Sequence, residues 1–399
     1  MKRNLAIKVE RDILIYARES IGFPILKASE LSKLDEAKIE SWEKESSEIL
    51  LSDIKKLAKV YKRQLSFFFL PSAPKEKPVP ADFRTLDSAK IEDIPEKVRL
   101  AIRRAQANRR MLNEFFSDEQ DVSFNRQMSL SENPQKLGEL FRSFFSLTIE
   151  QQFAQKDEKE SLSYWVEAIE EKGVPVFQMD LDDDFRGFCL RENDLPSVIV
   201  INVKDARSAK TFTLIHEFCH LFIRQSEIDS LIKSRGEEQA HRTIEAFANE
   251  FAGSFLVPNK IILGEALFKK YLETREGLYI TKLSKRFNVS ELVIARRLYA
   301  LNIISETEYK KKEKELQERY LQMKIVQRAK FQEKPGSFVP RDIPRETIRK
   351  IGFSLGSKAF QAVSDGRMTT FDLVQFLDIK TSHLPGIQGL IKQKYSSLA

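Results

Sequence analysis

His216, Glu217 and His220 form a His-Glu-x-x-His motif within the apolar run Thr213-Leu214-Ile215-His216-Glu217-Phe218-Cys219-His220-Leu221-Phe222. Four residues make about one helical turn, so both imidazoles leave the same face and can share one Zn²⁺. Glu217 stands beside the first imidazole, where a carboxylate can take a proton from a water at the metal without occupying the metal itself. The chain has 4 histidines, and the motif uses half of them. At that frequency a random occurrence is expected on the order of 0.004 times per chain, so coincidence is a poor explanation.

A catalytic zinc needs a third protein ligand and an open fourth position. Ile244-Glu245-Ala246-Phe247-Ala248-Asn249-Glu250-Phe251-Ala252 reads as a second buried helix. On it Glu245 would bind the metal, and Asn249, one turn on, would orient a ligand imidazole. Ala246, Ala248 and Ala252 would let the two helices pack closely. By spacing alone, Glu237, Glu238 and Glu250 compete with Glu245. His241, one turn before Glu245, is read as a surface histidine ahead of an oxyanion-stabilising one. His383 falls in an isolated polar turn and is read as structural or exposed. Cys219 points away from the histidine face and should pack as a small hydrophobe. With Cys189 the only other cysteine, no disulfide framework is expected.

These residues need a scaffold. The chain has 399 residues, 42% of them hydrophobic, enough for two or three domains. A net charge of +7 is mild for this length and permits a nucleic-acid partner without requiring one. The charged stretch Lys8-Val9-Glu10-Arg11-Asp12 follows the start where a signal peptide would have an apolar core, and no apolar run is long enough to span a bilayer. A soluble, cytoplasmic protein with no membrane partner is expected.

Helical periodicity runs through Ile13, Leu14, Tyr16 and Ala17, then Leu31 and Leu34, Ile39 and Trp42, and Leu50, Ile54, Leu57 and Ala58, with Gly22, Pro24 and Ser46-Ser47 as punctuation. A Pro- and Lys-rich linker over Lys75 to Pro80 follows. Further helices are predicted over Ile94 to Phe116, Pro134 to Phe145 and Leu162 to Lys172. Val174 to Met179, Phe185 to Leu190 and Ser197 to Ile201 read as a small antiparallel sheet. Helices resume near Ala209 and continue to the end, broken around Pro258, Lys334 to Pro344 and Pro385-Gly386. The fold class is α+β, mainly helical.

The motif His216-Glu217-Phe218-Cys219-His220-Leu221, with Glu245-x-x-x-Asn249-x-Phe251-Ala252 and the closing Leu256-Val257-Pro258, resembles the ImmA/IrrE-type metallopeptidases. The resemblance implies a gluzincin-like arrangement with Glu245 as third ligand. Residues 10 to 70 resemble an Xre-type helix-turn-helix, including Ile39-Glu40-Ser41-Trp42-Glu43 and the exit Leu65-Ser66-Phe67-Phe68-Phe69-Leu70-Pro71. Asp82-Phe83-Arg84-Thr85 also fits this architecture. The implied segments are a helix-turn-helix over 1–72, linker and connecting helix over 73–130, peptidase domain over 131–265 and a helical region over 266–399. The implied function is a zinc-dependent endopeptidase-like regulator that cleaves a repressor or partner protein in a stress, phage or toxin–antitoxin setting. Its alternative is a helix-turn-helix regulator or antitoxin with little proteolysis.

Between Ser29 and Glu48 stand Glu30, Asp35, Glu36, Glu40, Glu43, Glu45 and Glu48 against Lys33, Lys38 and Lys44. Such a surface repels phosphates, and no Arg or Gln stands there to read base edges. DNA remains a candidate partner of this domain; homodimerisation or docking of a basic protein is at least as well supported. The stretch Arg99, Arg103, Arg104, Arg109 and Arg110 could contact nucleic acid, although a solvated helix face is the favoured reading.

Overall fold

A computed structural model describes residues 5–74, 94–116, 127–145, 147–191, 195–332 and 341–396. The expected linker over Lys75 to Pro80 and the segment Asp82-Phe83-Arg84-Thr85 lie outside these residues. The chain divides into two units, Met1–Asn108 with Asp180–Phe185, and Arg109–Met179 with Arg186–Ala399.

In the first unit, strand β1 (Ala6–Val9) pairs antiparallel with β2 (Ser47–Leu50), matching Ala6 to Leu50 and Val9 to Ser47. Helices α1 (Arg11–Glu19), α2 (Ile25–Ser32) and α3 (Glu36–Lys44) lie between them in sequence, and α4 (Leu51–Val60) and a 3₁₀ turn (Leu65–Phe69) follow. Ser46-Ser47 thus leads into a strand rather than a loop. Ile13, Ile39, Trp42, Ile54, Tyr61 and Phe68 meet in one core. The Asp35 side chain caps α3 by accepting from Ala37 N. Glu43 is drawn out of the acidic surface: Arg18 Nε and Nη2 donate to its two oxygens at 2.7 Å each.

The first part of helix α5 (Glu96–Phe116) completes this unit. Arg110 is exposed, but three of the other arginines are not on a solvated face. Arg99 is buried and donates to the carbonyls of Ile94 and Glu19, while Arg103 donates to those of Tyr61 and Lys62. Glu19 ends α1, where Gly22 N also donates to its carbonyl, and Tyr61 caps α4, so each guanidinium meets a carbonyl at the negative end of a helix. In the second unit, buried Arg109 likewise donates to Leu195 O and Pro196 O.

The second unit continues with α6 (Pro134–Phe144), α7 (Ile149–Phe153), α8 (Glu158–Glu170), β3 (Val176–Met179), β4 (Gly187–Leu190), β5 (Val198–Asn202) and α9 (Arg207–Phe222). Next come α10 (Gln225–Arg235), α11 (Glu237–Leu256), α12 (Asn259–Gly264), α13 (Ala266–Thr274), α14 (Gly277–Phe287), α15 (Glu291–Ala300) and α16 (Glu306–Gln332). Beyond residue 340 stand α17 (Ile343–Ile351), α18 (Phe353–Ser364), α19 (Thr370–Leu377), a 3₁₀ turn (Thr381–His383) and α20 (Leu384–Ser396). Pro385 and Gly386 do not break the chain; they lie in the first turn of α20, where proline's missing N–H costs nothing.

The three-stranded sheet has the order β3-β5-β4 and is mixed, not antiparallel: β3 runs parallel to β5, and β4 antiparallel to it. β5 is buried at all five positions, as befits a central strand. Against the sheet and α9, the rings of Phe141, Phe145, Phe218, Phe251, Phe255 and Trp165 fill a core that continues into α13, α14 and α15. Gly138 allows α6 to touch α11, since a Cβ there would stand 2.5 Å from Phe251 O. Ala248 and Ala252 are buried as expected, whereas Ala246 is exposed.

Candidate metal centre

Helix α9 buries Leu214, Ile215, Phe218 and Cys219, which fixes its rotation and turns His216 and His220 to the opposite side. Cys219 packs as a small hydrophobe, and burial pushes its thiol well above the usual range. Helix α11 is held against α9 by Phe247, Phe251 and Phe255, and this packing presents Glu245 to the two imidazoles.

The geometry is tight. Glu245 Oε2 lies 3.1 Å from His216 Nε2, and Glu245 Oε1 lies 3.2 Å from His220 Nε2. The two Nε2 atoms are 3.0 Å apart. All three ligand atoms fall within 4.8 Å of one another, an arrangement that could hold a metal ion. His216 Nδ1 is buried without a hydrogen-bond partner. Burial would raise the Glu245 carboxyl, but hydrogen bonds and charge from His216 and His220 outweigh it and hold the group well below the ordinary range.

The rival carboxylates are elsewhere. Glu238 pairs with Arg242 at 2.5 Å, Glu250 accepts from Gln135 at 3.4 Å, and Glu237 is exposed. Asn249 makes no hydrogen bond to either imidazole, so the orienting role expected of it is not seen. His241 departs from the surface reading. Its side chain is only 12% exposed, with Nε2 3.8 Å from Glu245 Oε1, because one helical turn aims both residues at the same space. His383 is half-buried in its 3₁₀ turn and is not part of the metal-competent group.

Glu217 is buried at 7% exposure beside this group. Burial pushes its carboxyl up to about 7, helped by the charge on Glu245 and opposed by His220 and a hydrogen bond from the Cys189 thiol. Cys189 comes from β4, within the strand expected over Phe185 to Leu190; a single thiol in an apolar strand carries no pattern that would have placed it here. Gly187 makes the approach feasible. A Cβ there would lie 2.6 Å from Thr213 Cγ2, 2.8 Å from Val200 O and 3.4 Å from Glu217 Cγ.

Residues 169–299 match the family model Peptidase_M78, described as an IrrE N-terminal-like domain. This span holds His216, Glu217, His220, His241 and Glu245, and it supports the peptidase part of the resemblance read from the sequence. The comparison with curated proteins gives no match. No helix among the described residues is long and apolar enough to cross a membrane.

Proposed function

We propose that the chain is a zinc-dependent endopeptidase-like regulator that cleaves a protein partner, with His216, His220 and Glu245 as ligands and Glu217 as general base. The observation that carries this reading is the convergence of three ligand atoms within 4.8 Å, with a buried carboxyl beside them. The donor set suits zinc. Two nitrogens on one tetrahedral Zn²⁺ at about 2.0–2.1 Å stand about 3.3 Å apart, close to the 3.0 Å separation of the two imidazole nitrogens. Without an ion or a proton between them, two ring nitrogens so placed would oppose their lone pairs.

Zinc, when bound, supplies Lewis acidity toward a water and the scissile carbonyl. The protein's part is proton handling and position. Glu217 takes the proton of the attacking water, and a carboxyl raised to about 7 is poised to accept and return protons near neutrality. The Cys189 thiol steadies the charged form of that carboxylate. His241, turned toward Glu245 and partly open, is placed to meet a developing oxyanion. The acidic residues of α2 and α3 would suit docking of a basic protein partner.

The test uses purified full-length protein, elemental analysis and a mixed peptide library read by mass spectrometry. Glu217→Gln should keep about one zinc per chain and lose cleavage. Cleavage retained by that variant would overturn the mechanism.

A further inference from the structure

A cavity of about 680 Å³ opens between α8, β3, the first turn of α9 and the helices α17, α18 and α20. Its volume lies within the roughly 300–1,000 Å³ of small-molecule sites. At its floor Lys210 is only 5% exposed, and its Nζ donates to Gln178 Oε1 at 3.3 Å. Arg207 and Arg349 line the same cavity.

The charges do not balance. Three carboxylates line the cavity, and each has a cation of its own: Asp342 pairs with Arg345 at 3.2 Å, Glu346 with Arg341 at 2.5 Å, and Glu167 with Lys394. Among the described residues, Lys210, Arg207 and Arg349 have no carboxylate within ion-pair distance. A buried ammonium held next to two guanidinium groups is costly unless an anion joins it. Burial, and then repulsion from Arg349 and Arg207, lowers Lys210 to about 8 against the pull of Asp205. The N-terminus of α9 adds to the positive field, since Ala206 provides no side-chain cap for the amides of the first turn. Leu162, Val166 and Phe353 give the wall an apolar stretch.

We propose that this cavity is a binding site for a small organic anion, its acidic head held by Lys210, Arg207 and Arg349 and its apolar body laid against Leu162, Val166 and Phe353. A phosphate ester and a carboxylate share this chemistry. The proposal does not depend on the peptidase reading, because none of the metal-competent residues lines the cavity.

The experiment is calorimetric titration of the full chain with adenosine 5′-monophosphate, octanoate and inorganic phosphate, repeated in a Glu245→Ala background to remove binding at the metal centre. One of the two organic anions should bind saturably at one per chain and more tightly than inorganic phosphate, and which one does so identifies the head group. Arg349→Gln and Lys210→Met should each weaken it about tenfold or more, the usual worth of a charge-assisted contact. Arg349 is exposed, so its replacement leaves the fold intact even if Lys210→Met does not. Lys350→Gln, an exposed neighbour outside the cavity, should change nothing. The proposal fails if neither organic anion saturates, if phosphate alone binds as well, or if Lys350→Gln costs as much as Arg349→Gln.

Discussion

The Cys189 thiol donates a hydrogen bond to the Glu217 carboxylate, joining strand β4 to the helix that carries both motif histidines. A donor to the ionised form stabilises it, so the bond draws Glu217 down against the burial that raises it. Cys189→Ala should therefore move the acid limb of the kcat/KM profile to higher pH, because the base must be ionised to work. Cys219→Ala, buried on the other side of α9, should leave that limb in place. A pH–rate series on the two variants distinguishes them; equal profiles would remove the thiol from the mechanism.

Glu245→Ala should abolish stoichiometric metal, with a loss of affinity beyond the roughly 10- to 100-fold typical of outer contacts. Glu250→Ala should retain it, since Glu250 is engaged with Gln135. Chelation of the wild type should lower Tm, because an ion bound only by the folded chain stabilises it by about 4 kcal/mol at a thousandfold excess over Kd. Metal titration and thermal unfolding check all three.

Gly187→Ala should destabilise the second unit by about 1–3 kcal/mol. The added methyl meets Thr213 Cγ2 and a backbone carbonyl of the central strand, and only one of these can yield. Denaturant unfolding would measure the loss; a change below about 0.5 kcal/mol would mean that β4 and α9 are less tightly joined than their packing indicates.

Glu170 offers a pH test unconnected with the metal. Burial raises its carboxyl to about 8, opposed by the backbone amide of Val176 and then by Lys358 and Lys394, and aided by Glu167. The folded-state value lies above the unfolded one, so the folded chain holds the proton more tightly. The contribution of Glu170 to stability should then be greatest below about 4.5, fall as pH rises toward 8 and level off above it, with a slope of at most about 1.4 kcal/mol per pH unit. Glu170→Gln should flatten that fall and raise Tm at pH 8; an unchanged slope in the variant would show that the group is not buried in its charged form.

Periodicity was enough to read α1, which has one apolar stripe, while the largely buried α9 was read from its motif within an apolar run. Strand direction was not legible in β3, β4 and β5: a strand buried on both faces has no alternation, and apolar content does not tell parallel from antiparallel. The site divides in the same way. His216, Glu217 and His220 are local in sequence and their spacing is their geometry. Glu245 needed the resemblance to separate it from its neighbours. The approach of Cys189 comes from packing between elements that no spacing records, whereas His241 stands one turn before Glu245 and only its burial was missing from the sequence. The arginines of α5 misled for a related reason, since the carbonyls that hold Arg99 and Arg103 belong to other helices.

Arg297 sets how small a working fragment can be. It is buried, and it donates to Val257 O at 3.1 Å and to the side chain of Asn259, closing the C-terminal end of α11 from α15. Beside it Ile294 and Leu298 complete the core under that helix. A fragment cut after α12 would retain every residue of the metal centre, yet Glu245 would stand on a helix with one end unfastened and part of its apolar face in water. The shortest piece able to hold the ion is thus set by this brace and not by the last ligand.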